Sequence, residues 1–418
     1  MLPYHGQLAL KGKTKIVNIP LGAILDINHM TRTPPKVSTR VSGLFAVHFF
    51  GFGLFLPFLP VVLEFRGLSA EDIGFILGAG TITRIAASPL LANIADRTGQ
   101  RRLAILIYSL AGAAFIGLFC GPAEIVLIGS AVVGYMVFQS PVLPLSDAYA
   151  LDVARNTGTD YARMRLWGSA GFVGATLVGG TLAAQATNWL LLLLIAISAL
   201  MTGLVAMSMP SQKRGDRTGE PDRADQAAPF ASVWFWPVLA VFGLFQASHA
   251  AFYGFGTLYW QAMDVPDFTI GVLWAIGVVA EIGLFAIAAR LPIRMDPPVF
   301  LLVAGIAAVV RWGLFPLADT FAAMAALQLL HGLTFGAAHL GSLAILAKVV
   351  PSRWSGTGQG LLATSIGIQM AIGLGVCGAL YETDPDLPFY LMAAVAAVGV
   401  LLVLALTPLM RRRMAAAG

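Results

Sequence analysis

Residues 211–229 read SQKRGDRTGEPDRADQAAP, the one long polar stretch inside an otherwise apolar chain. Such a composition is that of a flexible linker. Working outward from it, apolar stretches recur at the length a bilayer demands. A hydrocarbon core of about 30 Å needs roughly 20 helical residues. Six such stretches precede the linker, at 41–63, 70–95, 103–121, 124–149, 162–184 and 188–209. Six follow it, at 232–260, 268–290, 297–316, 320–347, 355–380 and 387–410. The fold class predicted is an all-α membrane protein, twelve spans arranged as two six-helix bundles around a central cavity. The predicted units are a tail 1–39, a bundle 40–210, a linker 211–230, a bundle 231–410 and a tail 411–418.

Composition agrees. Of the 418 residues, 58% are hydrophobic and 11% charged, against about a quarter charged in soluble domains. A soluble domain could not hide that much apolar surface, and disordered, collagenous and disulfide-scaffold classes fail on the same numbers. Cys120 and Cys377 both sit in apolar runs, which is no disulfide or zinc framework. With the N-terminus inside, 23 of the 26 Lys and Arg fall in cytoplasmic segments and only Arg66 lies outside. Arg84 and Arg311 remain within spans. Acidic residues such as Asp264, Asp267, Asp319, Glu382, Asp384 and Asp386 gather at the outer boundary. The positive-inside rule therefore places both termini in the cytoplasm, in a bacterial inner membrane. Residues 1–39 lack the apolar centre and cleavage site of a signal peptide. They read as a disordered cytoplasmic tail, or as an over-long start with Met30 the initiator.

The halves echo each other. Phe49-Phe50-Gly51-Phe52-Gly53 returns as Phe252-Tyr253-Gly254-Phe255-Gly256, and Ile73-Gly74 returns as Ile270-Gly271. A duplicated six-helix unit is a transporter architecture. The Gly-rich runs around Gly168–Gly180 and Gly356–Gly378 suit close helix packing. Neither follows a strand, which excludes a phosphate-binding loop.

Charge at the bilayer centre costs about 2.5–3.5 kcal/mol, so each such residue needs a reason. Arg84, Glu281, Arg311, His331 and His339 lie within spans, His249 lies midway along its own with Gln246 a turn before, and Asp147 and Arg165 flank a short loop. The bland reading is mutual neutralisation: Asp147 with Arg165, and Glu281 with Arg311 or His331. A lone membrane histidine also serves as a packed polar residue. The functional reading is that these groups bind substrate and carry protons. Arg84 has no acidic residue in its own stretch nearer than the ends, so a ligand carboxylate suits its fork. Phe49, Phe52, Tyr253, Phe255, Tyr259 and Trp260 could wall an aromatic ring. No nucleophile has a base partner and no zinc or nucleotide motif occurs, so an enzyme is not expected.

The loop Asp96-Arg97-Thr98-Gly99-Gln100-Arg101-Arg102 resembles the signature loop of the major facilitator superfamily. It departs at Ala92, where the superfamily has glycine, and at Gln100, where it has a basic residue. The resemblance implies that Asp96, Arg97, Gly99, Arg101 and Arg102 form a gating loop that latches the two halves at the cytoplasmic side. Over residues 40–380 the chain resembles the phenylpropionate permease family, which is related to lactose permease. The matching runs include Gly78-Ala79-Gly80 with Arg84, Pro144-Leu145-Ser146-Asp147-Ala148 and Asp160 through Ser169. They continue with His249 through Phe255, Gly277 through Glu281, Val309 through Gly313, and His331, Thr334, Phe335 and His339.

The resemblance implies a proton-coupled symporter working by alternating access, with no cofactor beyond the proton gradient. Its partners would be a small-molecule substrate, protons and the lipid bilayer, with no nucleic acid, and the protein would be monomeric. Asp147, Arg165, Glu281, Arg311 and His331 match positions that lactose permease uses. Two departures stand out. The proton-site glutamate three residues after the helix-10 histidine is Thr334 here, which moves the proton to Glu281, His331, His339 or Asp147. The sugar-stacking aromatic of helix 5 is Phe172, not tryptophan. The substrate expected is a small organic anion, an aromatic monocarboxylate, bound by Arg84, Asp147, Arg165, Phe172, Gln246, His249, Tyr253 and Arg311. A neutral sugar or nucleoside, proton-driven drug export, or a non-transporting sensor are the alternatives. The absence of proline from 162–184 counts against export.

Overall fold

The computed structural model describes residues 36–118, 124–183, 188–211, 233–290, 296–351 and 354–417. The expected tail up to residue 35 and nearly all of the linker lie outside the described residues. Among those described there is no strand, and twelve helices have the length and composition to cross a membrane. They are α1 Val37–Phe65, α2 Ala70–Thr98, α3 Arg101–Leu118, α4 Ile125–Thr157, α5 Tyr161–Ala183 and α6 Trp189–Ser208. The second half supplies α7 Phe235–Ala262, α8 Asp267–Ala288, α9 Pro297–Leu317, α10 Phe321–Val349, α11 Ser355–Thr383 and α12 Leu387–Ala415. Helices are the form in which such sequences satisfy every backbone group without water. Large apolar side chains such as Phe75, Val126 and Leu401 stand exposed on the outside, as a lipid-facing surface requires.

Local chemistry sets the ends. Ser69 and Asp72 form a reciprocal capping box at the start of α2, and Gly99, at φ 68°, closes its other end. Helix α4 runs well past the 124–149 of the sequence reading. Its polar last turns stay helical because Asp152 pairs with Arg101 of α3 and with Arg155 one turn on. Three helices are interrupted. Helix α4 breaks at Ser140-Pro141 and α7 at Ser248-His249. In α10 a π-helical stretch, Gly332–Ala337, follows directly after His331. An i→i+5 turn inside an α-helix is uncommon and re-aims the side chains around it.

The two six-helix groups meet where α2 packs on α11, α5 on α8 and α1 on α7. The tightest approaches lie at the end opposite the linker. A Cβ placed on Gly74 would stand 2.5 Å from the Leu374 carbonyl oxygen and 3.0 Å from the Gly378 Cα. One on Gly180 would stand 2.6 Å from the Asp267 oxygen and 3.2 Å from the Gly271 Cα. At the same end the Ala70 amide donates to Glu382 Oε1 across the two halves at 2.5 Å. Towards the linker end no such approach is made at Gly356 or Gly360 of α11, beside which a Cβ would meet open space. The protein is closed at one end and parted at the other.

Candidate functional site

Between the two halves lies a cavity of about 480 Å³. Its walls come from α1, α2, α4, α5, α7, α8, α10 and α11, while α3, α6, α9 and α12 line none of it. Aromatic side chains stand on both sides of it, among aliphatic and small polar ones. Phe49, Phe52, Phe55, Tyr135 and Phe172 face it from the first half, and Phe252, Tyr253, Trp274 and Phe335 from the second. Phe172 tilts on Phe52 at 6.0 Å, and Tyr253 stacks on Trp274 at 6.2 Å. Five ionisable side chains interrupt this surface: His48, Arg84, Arg165, Glu281 and His331.

Arg84 reaches the cavity from the middle of α2 and is exposed there. It has no hydrogen bond or ion pair among the described residues. Arg165 is held more firmly. Its Nε lies 3.8 Å from Asp147 Oδ1, and its guanidinium sits 4.1 Å from the Phe49 ring centroid. Tyr161 Oη donates to the same Asp147 oxygen at 2.9 Å. Asp147 itself does not line the cavity, so it acts there through Arg165.

The second half carries a buried polar network, and elementary donor counting orders it. Arg311 is wholly buried, stacked 4.4 Å from the Trp312 centroid and 5.1 Å from that of Phe252. A guanidinium only donates. Its Nη1 gives hydrogen bonds to His331 Nδ1 at 2.9 Å and Thr334 Oγ1 at 3.0 Å, and its Nη2 gives one to Gln328 Oε1 at 2.9 Å. His331 must therefore present a bare Nδ1, which puts its proton on Nε2. That Nε2 points at Glu281 Oε2, 3.9 Å away. The same logic fixes His249. Its Nδ1 can only donate to the Gln246 carbonyl, at 3.1 Å, so its Nε2 accepts from the Thr334 hydroxyl, also at 3.1 Å. A proton added to His331 Nδ1 would set donor against donor at Arg311, whereas the Thr334 hydroxyl could turn to accept from a protonated His249.

This decides between the two pairings left open for Glu281. Glu281 meets His331 rather than Arg311, because the imidazole stands between them. Arg311 has neutral acceptors where a carboxylate was expected. Arg311, His249 and Gln246 lie behind the cavity wall, Gln246 donating to the Phe335 carbonyl at 3.3 Å. His339 stacks on Phe335 at 6.3 Å and lines no part of the cavity. The signature loop, with the linker end parted, bonds within the first half. Arg101 donates to Asp96 and to Asp152, each at 2.8 Å, and Arg102 donates to the Met209 carbonyl. All of these partners belong to the first half.

Several residues escaped the sequence reading, among them His48, Gln328 and Trp274. His48 faces the cavity from α1, edge-on to Phe49 at 5.5 Å. Its signal was a single histidine in an apolar run. Gln328 is buried and holds Arg311, and Trp274 forms part of the aromatic wall. Nothing in the local pattern distinguished these two from packing residues.

Comparison with known proteins bears on this geometry. The model of the MFS_1 like family matches residues 38–392. A protein of Escherichia coli named "Probable 3-phenylpropionic acid transporter" is 32% identical over 361 residues, covering 86% of this chain and 95% of that one. A maltose permease of Geobacillus stearothermophilus is 27% identical over 340 residues, covering 80% of this chain and 83% of that one. Among solved structures, the nucleoside transporter NupG superposes with a TM-score of 0.77 at 15% identity, over 89% of this chain and 99% of that one. At that identity the likeness speaks to the fold alone.

Proposed function

The chain belongs to the MFS_1 like family of membrane transporters, and from that premise we propose that it takes up a small aromatic monocarboxylate together with protons, by alternating access. One observation carries the reading: a guanidinium without a partner among the described residues, Arg84, on the wall of a cavity rich in aromatic side chains. A cation in the middle of a membrane span without a counter-charge is costly, and a carboxylate fits its fork with two hydrogen bonds. The aromatic walls suit the ring of such an acid. The name carried by the Escherichia coli relative points the same way.

Glu281 is the coupling carboxylate in this reading. It is the one carboxylate on the cavity wall among the described residues, while the Arg311 donor argues against a proton on His331 Nδ1 and His249 lies behind the wall. With both termini cytoplasmic, as the basic residues direct, the parted end faces the cytoplasm of the cell's inner membrane. The protein then stands in its inward-open state.

A neutral substrate is the second reading, favoured by the maltose permease among the relatives. The two separate at Arg84. Arg84→Lys keeps the charge and loses the fork. It should weaken binding of 3-phenylpropionate by about tenfold, the scale of one lost charge-assisted hydrogen bond, and leave binding of the corresponding amide nearly unchanged. Equal losses for acid and amide would make Arg84 structural and favour the neutral substrate.

A further inference from the structure

Helices α2 and α8 repeat one another position by position. One interval, 197 residues, separates Ile73-Gly74 from Ile270-Gly271, Gly80 from Gly277, and Arg84-Ile85 from Glu281-Ile282. The exposed faces agree. Leu77, Thr81 and Arg84 line the cavity from α2, and the equivalent Trp274, Val278 and Glu281 line it from α8. The packing agrees as well. Gly74 lies against Leu374 and Gly378 of α11, and Gly271 against Thr176 and Gly180 of α5. Arg84 and Glu281 each stand 14 residues from the start of their helix, so they share one depth. The duplicated position thus carries opposite charges in the two halves.

Their surroundings differ. Arg84 has no partner among the described residues, and Glu281 keeps 3.9 Å from His331. The other ionisable groups facing the cavity are already engaged or of the wrong sign. Arg165 of α5, whose charge reaches Glu281 in this state, is held by Asp147 and Phe49, His331 of α10 has its Nδ1 occupied by Arg311, and His48 of α1 offers no negative charge.

The geometry points to Arg84 as one cationic site for which two carboxylates compete: that of Glu281 in the empty, closed transporter, and that of the substrate in the loaded one, with a proton then held on Glu281. This rests on the aromatic-acid reading and deepens it. Two carboxylates cannot both stay ionised beside one guanidinium in a low dielectric. The substrate anion displaces Glu281, and Glu281 binds one proton from the solvent on the side to which the cavity is open. Anion and proton cross as a neutral pair, and both leave on the other side. The empty protein returns with Arg84 and Glu281 neutralising each other.

The test uses full-length protein in lipid nanodiscs and 3-phenylpropionate as probe. Titration calorimetry in buffers of different ionisation enthalpy counts the protons taken up per anion bound. Wild-type protein should take up about one proton per anion, with binding weakening about tenfold per unit rise in pH on the alkaline side. Glu281→Gln should bind at least as tightly as wild type, with no proton uptake and no dependence on pH. Glu281→Asp keeps a carboxylate and should keep proton uptake, which separates a lost charge from a lost fold. Arg84→Gln should weaken binding by about tenfold or more. Proton uptake that persists in Glu281→Gln, or wild-type binding of the acid without proton uptake, would overturn the competition while leaving the aromatic-acid reading in place. Wild-type protein that binds the amide as well as the acid would overturn both.

Discussion

Arg311 donates to three side chains and meets no carboxylate, so each of its acceptors is a neutral group whose lone pair is committed. Lysine also has three N–H donors, but on a single nitrogen, which cannot stand both where Nη1 serves His331 and Thr334 and where Nη2 serves Gln328. Each bond lost from a buried charged donor costs about 1.5–3 kcal/mol. Arg311→Lys should therefore lower the apparent melting temperature of the purified protein by several degrees and abolish uphill transport. Thermal unfolding followed by tryptophan fluorescence checks the first part, and an unchanged midpoint would mean that the network contributes little. At this scale the sequence was legible wherever a polar residue lay within an apolar run and faced inward. Arg84, Arg165, Glu281 and His331 were singled out on that ground, and all four line the cavity. It was less legible for Arg311, His249 and Gln246. Linear spacing marks them as buried polar residues and says nothing of which layer they occupy, and that depends on the break in α7 and the π turn in α10.

At the scale of the helix, the closed end rests on two backbone approaches, α2 to α11 and α5 to α8. Glycine is required at Gly74 because a Cβ there would overlap the Leu374 carbonyl, and Gly271 is crowded in the same way by Thr176. Gly74→Ala combined with Gly271→Ala should wedge this end apart. A cysteine at Leu56, on the cavity wall, introduced into a chain with Cys120 and Cys377 changed to serine, should then react faster with a membrane-impermeant maleimide added from that side. An unchanged rate would show that the end is sealed elsewhere. The helix count and the Ile-Gly echo were readable from sequence, because hydrophobic length and glycine spacing are one-dimensional signals. The extra length of α4 was not, since its polar last turns are stabilised by pairing with Arg101 on another helix.

At the scale of the molecule, the distribution of charge sets sidedness. The basic residues crowd the linker end, while the acidic ones are shared between the two ends. Single cysteines at Arg217, in the linker, and at Pro266, between α7 and α8, should label from opposite sides of the membrane. Labelling from one side would discard the twelve-span topology.

The central claim is that a proton gradient drives accumulation of an aromatic acid through Glu281. It is tested most directly by uptake of radiolabelled 3-phenylpropionate into proteoliposomes holding purified protein, with and without an imposed pH gradient, acid outside. Wild-type protein should accumulate the acid above its outside concentration only while the gradient lasts. Glu281→Gln should exchange labelled for unlabelled acid across the membrane at a comparable rate and accumulate none. Accumulation indifferent to the gradient, or uphill uptake retained in Glu281→Gln, would contradict the account.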